Sequence, residues 1–193
     1  MTDLEYTVSK NGMLLKFIIN PSENVQLAAV KSNALAIQFI VKPSKDVQLA
    51  AVQNFGMAIK YINDPCMEVQ SIAVREYGFA IKHIKNPVKE IQLAAVNENG
   101  YAIKYISNPD KDVQLAAVRQ FGYVIEYIKN PDKDIQLASI HENGHVIKFI
   151  DNPSKEIQMF AVKQNINFIQ LIKNVDPEVL EYVKKKLHKD TND

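Results

Sequence analysis

The chain has 193 residues, 47% of them apolar and 23% charged, so it can bury a core of ordinary size. Its net charge of +1 supplies no whole-molecule field that would draw it to nucleic acid or to an anionic membrane. Arginine occurs only at Arg75 and Arg119, which leaves bidentate recognition of phosphate or guanine poorly supplied, and a single cysteine, Cys66, can form no internal disulfide.

The first ten residues, MTDLEYTVSK, are acidic rather than basic at their start, and no apolar run approaches membrane-spanning length, so a cytoplasmic protein is expected. The phrase VQLAAV then appears at residues 25–30, returns at 47–52 and 113–118, and reads IQLAAV at 91–96. The repeating unit is 22 residues long and is clearest at 97–118, NENGYAIKYISNPDKDVQLAAV. All six glycines share one phase, with Ala34 and Ile166 in the two vacant places, and seven of the eight prolines share another. A period of this size means stacked supersecondary units.

The eighth proline sets the helix phase. Asp176, Pro177 and Glu178 stand in the order of an N-cap, a first helical residue and a first-turn acid. Carried back by the period, the cap slot holds Ser22, Ser44, Cys66, Val88, Asp110, Asp132 and Ser154. The first helix of a unit is therefore expected from about Lys111 to Gln120, closed by Gly122 in the left-handed conformation, with its apolar residues enclosed by neighbours. A second, shorter helix is expected over 101–106, YAIKYI, ending before the Asn-Pro step. Leu4-Glu5-Tyr6 and Leu180-Glu181-Tyr182 replace the interior Gln-Leu-Ala at both ends, which reads as solvent-facing caps at about 1–10 and 176–190. Residues 191–193 read as a frayed tail. The expectation is an all-α fold, a single domain over 1–190 forming a right-handed α-solenoid of eight short helical hairpins plus a C-terminal capping helix.

With Asn-Pro, a capped VQLAAV helix and an Asn-Gly turn in one short period, the chain resembles the two-helix α-solenoid repeats grouped with HEAT-like and leucine-rich-repeat-variant proteins. It looks closest to Asn-Pro/Ala-Ala-Val/Asn-Gly repeats of unassigned function met in bacteria, phages and giant viruses. The resemblance covers essentially the whole chain and carries over no catalytic residue. It implies a non-enzymatic binding scaffold, such as a phage or bacterial factor that occludes another macromolecule, and it implies no cofactor.

Three features bear on function. The segment His141–His145, HENGH, matches the H-E-x-x-H pattern of zinc hydrolases, but Gly144 is the helix-ending glycine of the repeat, so the two histidines are expected on different helices and no metal is assigned. A glutamine recurs once per unit from Gln26 to Gln158, and the expectation is a half-buried amide bonded to the Asn-Pro loops of its own or the next unit. The second helices carry the candidate partner-binding face: Phe79, Lys82, His83, Tyr101, Lys104, Tyr105, Tyr123, Tyr127, His145, Lys148 and Phe149. Ala102, Ile103 and Ile106 are expected to face the core, leaving rings and lysines outward. Rings rimmed by lysine suit a protein partner; a nucleic-acid partner on the lysine row is the alternative reading. The competing structural reading is that the rings pack laterally between neighbouring short helices.

Overall fold

The helices begin where local chemistry puts them. In the computed structural model, which describes residues 1–190 and side chains through residue 188, the side chains of Ser22, Ser44, Asp132 and Ser154 each accept a hydrogen bond from the backbone N–H three residues ahead. Cys66 and Val88 hold the same slot without a side-chain bond. At the N-terminus Thr2 and Glu5 form a reciprocal capping box, and Asp176 accepts from the Glu178 N–H to open the last helix.

The α-helices so started are α1 (Asp3–Lys10), α2 (Glu23–Ser32), α3 (Lys45–Asn54), α4 (Met67–Glu76), α5 (Lys89–Glu98), α6 (Lys111–Gln120), α7 (Lys133–Glu142), α8 (Lys155–Gln164) and α9 (Pro177–Asp190). Between them lie 3-10 helices η1 (Gly12–Phe17), η2 (Ala34–Phe39), η3 (Gly56–Tyr61), η4 (Gly78–His83), η5 (Gly100–Tyr105), η6 (Gly122–Tyr127), η7 (Gly144–Phe149) and η8 (Ile166–Leu171). Among the described residues there is no strand, and the repeated helix pairs pack in sequence as an α-solenoid. They form two compact units, Met1–Asn108 and Pro109–Asp193. Within the first, α1 to α5 pack successively and η1 to η5 lie side by side; within the second, α6 to α9 and η6 to η8 do the same. The tail expected at 191–193 lies outside the described residues.

The second helix of each repeat is a 3-10 helix rather than an α-turn, and it begins at the glycine. A winding of three residues per turn aligns Gly100, Ile103 and Ile106 on one edge, and all are buried, while Tyr101 and Lys104 share another. Each Ile or Val fully buried in this way contributes roughly 1.5–3 kcal/mol. Tertiary burial is what sustains six residues of a helix type that is marginal alone.

Two sequence expectations are corrected here. No glycine has a positive φ, so Gly122 does not close α6 in the left-handed conformation; Phe121, extended at φ −142°, does that. Glycine is needed instead for close approach, because a Cβ on Gly12 or Gly56 would fall on the carbonyl oxygen of Ala29 or Ala73 in the next repeat. The left-handed residue is the one before proline, Asn20, Asp64, Asn86, Asn108, Asn130 and Asn152, with φ of 48–52°. Asn and Asp tolerate this region because their short side chains bond locally. The other correction concerns the α-helices, which are not enclosed all round: Val113, Ala117 and Val118 are buried, but Gln114, Leu115 and Ala116 are half-exposed. The terminal caps do face solvent, with Leu4 50% and Leu180 40% exposed.

Three sets of polar bonds brace the repeats, the first chiefly within each loop and the other two between layers. The seven once-per-unit glutamines, Gln26, Gln48, Gln70, Gln92, Gln114, Gln136 and Gln158, donate through Nε2 to the proline carbonyl five residues before each, at 2.7–3.0 Å. Gln158 alone is buried, and it also donates to the Asn174 carbonyl at 3.1 Å and accepts from the Asp176 N–H at 2.9 Å in the following repeat. Along the helix N-termini, lysines reach acids one repeat on: Lys45 to Glu68 at 2.5 Å in the first unit, Lys133 to Glu156 at 2.5 Å and Lys155 to Glu178 at 2.9 Å in the second. These pairs are exposed and set register more than stability. Along the C-termini, side chains reach backward: Ser32 accepts from the Gly12 N–H at 3.1 Å, Asn54 donates to the Val30 carbonyl at 2.9 Å, and Gln164 donates to the Ile140 carbonyl at 3.0 Å.

Candidate partner-binding face

In the first unit the outer edges of η1 to η5 carry two rows of apolar and aromatic side chains. Met13, Leu35, Met57, Phe79 and Tyr101 are half-buried between neighbouring helices. Beside them Phe17 is 72% exposed, Phe39 36% and Tyr105 39%, with Tyr61 half-buried and His83 exposed. Ala102, Ile103 and Ile106 face inward, as the sequence implies.

The rings meet edge to face, across repeats and within one. Phe79 lies 5.9 Å from Tyr105 with the ring planes at 88°, and 5.5 Å from Tyr77 at 72°. Lys104 Nζ sits 4.9 Å from the Tyr105 centroid and 5.3 Å from that of Phe79. Lys60 lies 4.5 Å over Tyr61 and Lys16 4.6 Å over Phe17. Lys16, Lys60 and Lys104 thus lie on ring faces of their own chain, a placement worth about 0.5–1 kcal/mol at exposed sites.

The charge of this face is one-sided. From each 3-10 helix to the start of the next α-helix, the segments that open with η1 to η5 carry Lys16, Lys42, Lys60, Lys82, Lys85 and Lys104 against Asp64 and Asp110, a balance of +4 with His83 neutral. A cleft of about 370 Å³ opens where η3 and η4 lead into their loops, lined among others by Lys60, Asn63, Asp64, His83 and Lys85. Partial burial, then the nearby Lys82 and Lys60, lower the His83 pKa from its ordinary value.

The second unit repeats the ring geometry with other residues. Tyr123 lies 6.0 Å from Phe149 at 71°, and Lys148 Nζ is 4.8 Å from Phe149 and 5.7 Å from Tyr123. Residues 79, 104 and 105 therefore recur in role 44 positions later as 123, 148 and 149. Tyr123 Oη hydrogen-bonds His145 Nδ1 at 3.0 Å, and His145 stands 6.1 Å from Phe168 at 77°. Tyr127 is 43% exposed. Here Lys129, Lys148 and Lys173 face Glu126, Asp132, Asp151 and Asp176 over the equivalent segments, a balance of −1 with histidine neutral.

The two histidines of HENGH fall on different elements, His141 near the end of α7 and His145 in η7, so they do not form the one-turn pair that the zinc pattern needs. His141 is exposed with Glu142 3.5 Å away, while His145 is engaged by Tyr123. Among the described residues no group of three or more His, Cys, Asp or Glu is gathered for a metal.

Sequence reading missed three contributors. Tyr77 is one; the residue before each glycine is either Asn, whose side chain accepts from the 3-10 helix, or an exposed aromatic such as Phe55, Tyr77 and Phe121. That alternation was available as a signal. Phe168 stands where the units from Ala36 to Val146 carry Ala or Val, and the small-to-large change marks it. The third is the half-exposed face of the α-helices, where Leu137, Met159 and Phe160 line a cavity of about 340 Å³ rimmed by Lys155, Glu156, Lys163 and Glu178.

A family model described as "Domain of unknown function (DUF4116)" matches residues 88–131. The matched segment is 44 residues, two full periods running from the cap slot Val88 to Pro131. No curated protein and no solved structure matches the chain. Among the described residues no helix is long and apolar enough to cross a membrane.

Proposed function

We propose that the protein is a non-enzymatic, cytoplasmic binding scaffold that engages a protein partner through the ring-and-lysine faces of its 3-10 helices. Binding on such a face occludes the partner's surface. The repeats are read as the Asn-Pro/Ala-Ala-Val/Asn-Gly type, and a phage or bacterial setting fits that reading. The observation that carries it is the recurrence of one constellation, Phe79 with Tyr105 and Lys104, then Tyr123 with Phe149 and Lys148. Ring pairs held edge to face are rigid before a partner arrives, and Tyr and Phe fixed in this way concentrate affinity in few residues.

The reading is tested on each unit separately. Immobilised wild-type protein, Tyr105→Ala and Tyr127→Ala are exposed to nuclease-treated lysate, and the captured proteins are compared by mass spectrometry. Loss of a specific partner with at least one variant is expected. Capture of the same partner at the same yield by both variants would overturn the assignment of this face.

A further inference from the structure

The charge on the 3-10 face of the first unit is out of proportion to the chain as a whole. A molecule of net charge +1 places +4 on these segments, and Lys60 and Lys85 converge with His83 on one cleft. At the N-terminal end of the same face Phe17, Ile19 and Val41 are 72%, 88% and 90% exposed, with Phe39 beside them at 36%. A cationic row and a bare apolar patch thus share one surface.

We propose that this face takes an extended, acidic segment of a protein, its carboxylates paired with the lysine row and its apolar side chains laid on Phe17, Ile19, Phe39 and Val41. The proposal rests on the binding reading above and names the partner's chemistry. Three observations favour a polypeptide over a nucleic acid. The ring faces of Tyr61 and Tyr105 already carry Lys60 and Lys104, which reduces the platforms on which bases stack. The patch of Phe17, Ile19, Phe39 and Val41 offers nothing to a phosphodiester backbone but suits Leu or Phe side chains. The basic residues of the face are all lysine, which binds a carboxylate as a point charge without the bidentate geometry that phosphate and base-edge recognition uses.

The repeat also fixes a spacing. Packed helices stand about 8–10 Å apart, and a polyproline-II chain rises about 3.1 Å per residue with three residues per turn, so one repeat spans roughly one turn of ligand. Lys60, Lys82 and Lys104 occupy one slot in successive repeats, so acids at every third position would stay in register with them.

The test uses the full chain and two labelled probes in fluorescence anisotropy at about 150 mM salt. One is a fifteen-residue peptide with Glu at every third position and Leu or Phe between; the other is an oligo-dT of twenty nucleotides. The peptide should bind the wild type roughly tenfold more tightly than the oligonucleotide, and Lys60→Glu with Lys85→Glu should weaken it at least roughly tenfold. Reversal of Lys129 and Lys148 in the second unit should change it less than about threefold. If the reversed pair loses its helical circular dichroism, Lys60→Gln with Lys85→Gln replaces it, with a smaller loss in the same direction. Absence of peptide binding, tighter binding of the oligonucleotide, or equal losses from the two units' variants would each overturn the proposal. Capture of a lysate partner that Tyr105→Ala abolishes, together with no peptide binding, would sink this inference and leave the binding reading standing. Indifference of capture to both tyrosine variants would sink that reading instead.

Discussion

The two units use the same backbone to present different surfaces. Each stacks capped α-helices against six-residue 3-10 helices and repeats one pairing of two rings with a lysine, yet the 3-10 segments of the first sum to +4 and those of the second to −1. The difference arises at slots that bear no structural duty. Lys60, Lys82 and Lys104 are exposed, so Glu126 can stand in the equivalent place with nothing in the fold disturbed. Slots that do bear such duty barely vary: Val47, Val69, Val113 and Ile157 are all fully buried. A repeat protein can therefore change its binding chemistry unit by unit while its stacking stays constant.

The most severe way to break that comparison is at the close-approach glycines. A Cβ on Gly12 would meet backbone, the Ala29 carbonyl, which cannot move without shifting the next repeat, whereas a Cβ on Gly144 meets the side-chain ends of Gln164 and Phe168. Gly12→Ala should cost about 3 kcal/mol and Gly144→Ala about 1 kcal/mol, read from denaturant midpoints. Equal shifts would mean that the stacking is not set by this contact. One vacancy marks the limit of the rule, since the slot already holds a buried methyl at Ala34.

Next in size is the glutamine ladder. Gln158→Ala removes three hydrogen bonds from a buried position, while Gln26→Ala removes the bond to the Pro21 carbonyl from a half-exposed amide. The expected losses are about 2–3 kcal/mol against about 1 kcal/mol. A reversed order would show that the bond to the residue's own proline loop dominates.

A smaller effect sharpens the electrostatic contrast. Because the His83 pKa is depressed, the folded chain prefers the neutral imidazole. Stability should fall as pH drops through the ordinary histidine range and level off below the folded-state pKa. His83→Gln should flatten that slope in urea titrations. Lys60→Gln should raise the imidazole titration seen by NMR, though only in part, since burial is the larger cause.

The smallest effect is expected at Ser139, which is fully buried where other units place alanine and whose hydroxyl bonds the Gln136 carbonyl at 2.9 Å. Ser139→Ala should shift the midpoint by no more than about 0.5 kcal/mol. A larger loss would show that this hydroxyl is a structural bond of the second unit alone.

Much of the fold was legible because its signals are local. The Asp-Pro-Glu run at 176–178 gave the helix phase, and α6 runs over Lys111–Gln120 as that phase implies. The glycine was placed correctly and explained wrongly. Sequence shows that a Cβ is unwelcome at Gly56 but not whether φ or a neighbour's carbonyl forbids it. The lysine-to-acid pairs were hidden for a similar reason, since acids such as Glu156 and Glu178 are already accounted for by the helix dipole and their lysines lie 23 residues away. At the candidate face the rows of rings and lysines could be read from the period, but Tyr77 joins them through a contact with Phe79 in its own repeat and Phe168 through packing against His145 of the preceding one.

By itself the sequence determined the period, the start of each α-helix, the inward residues and the inventory of outward rings and charges, because caps, prolines and burial patterns act within a few residues of themselves. Only the tertiary structure decided that the second helix winds as 3-10, that glycine serves close approach, and that Lys104 lies over Phe79 from the preceding repeat. Those outcomes depend on atoms a full repeat away, whose distance is fixed by how closely the layers stack and by nothing a single repeat encodes.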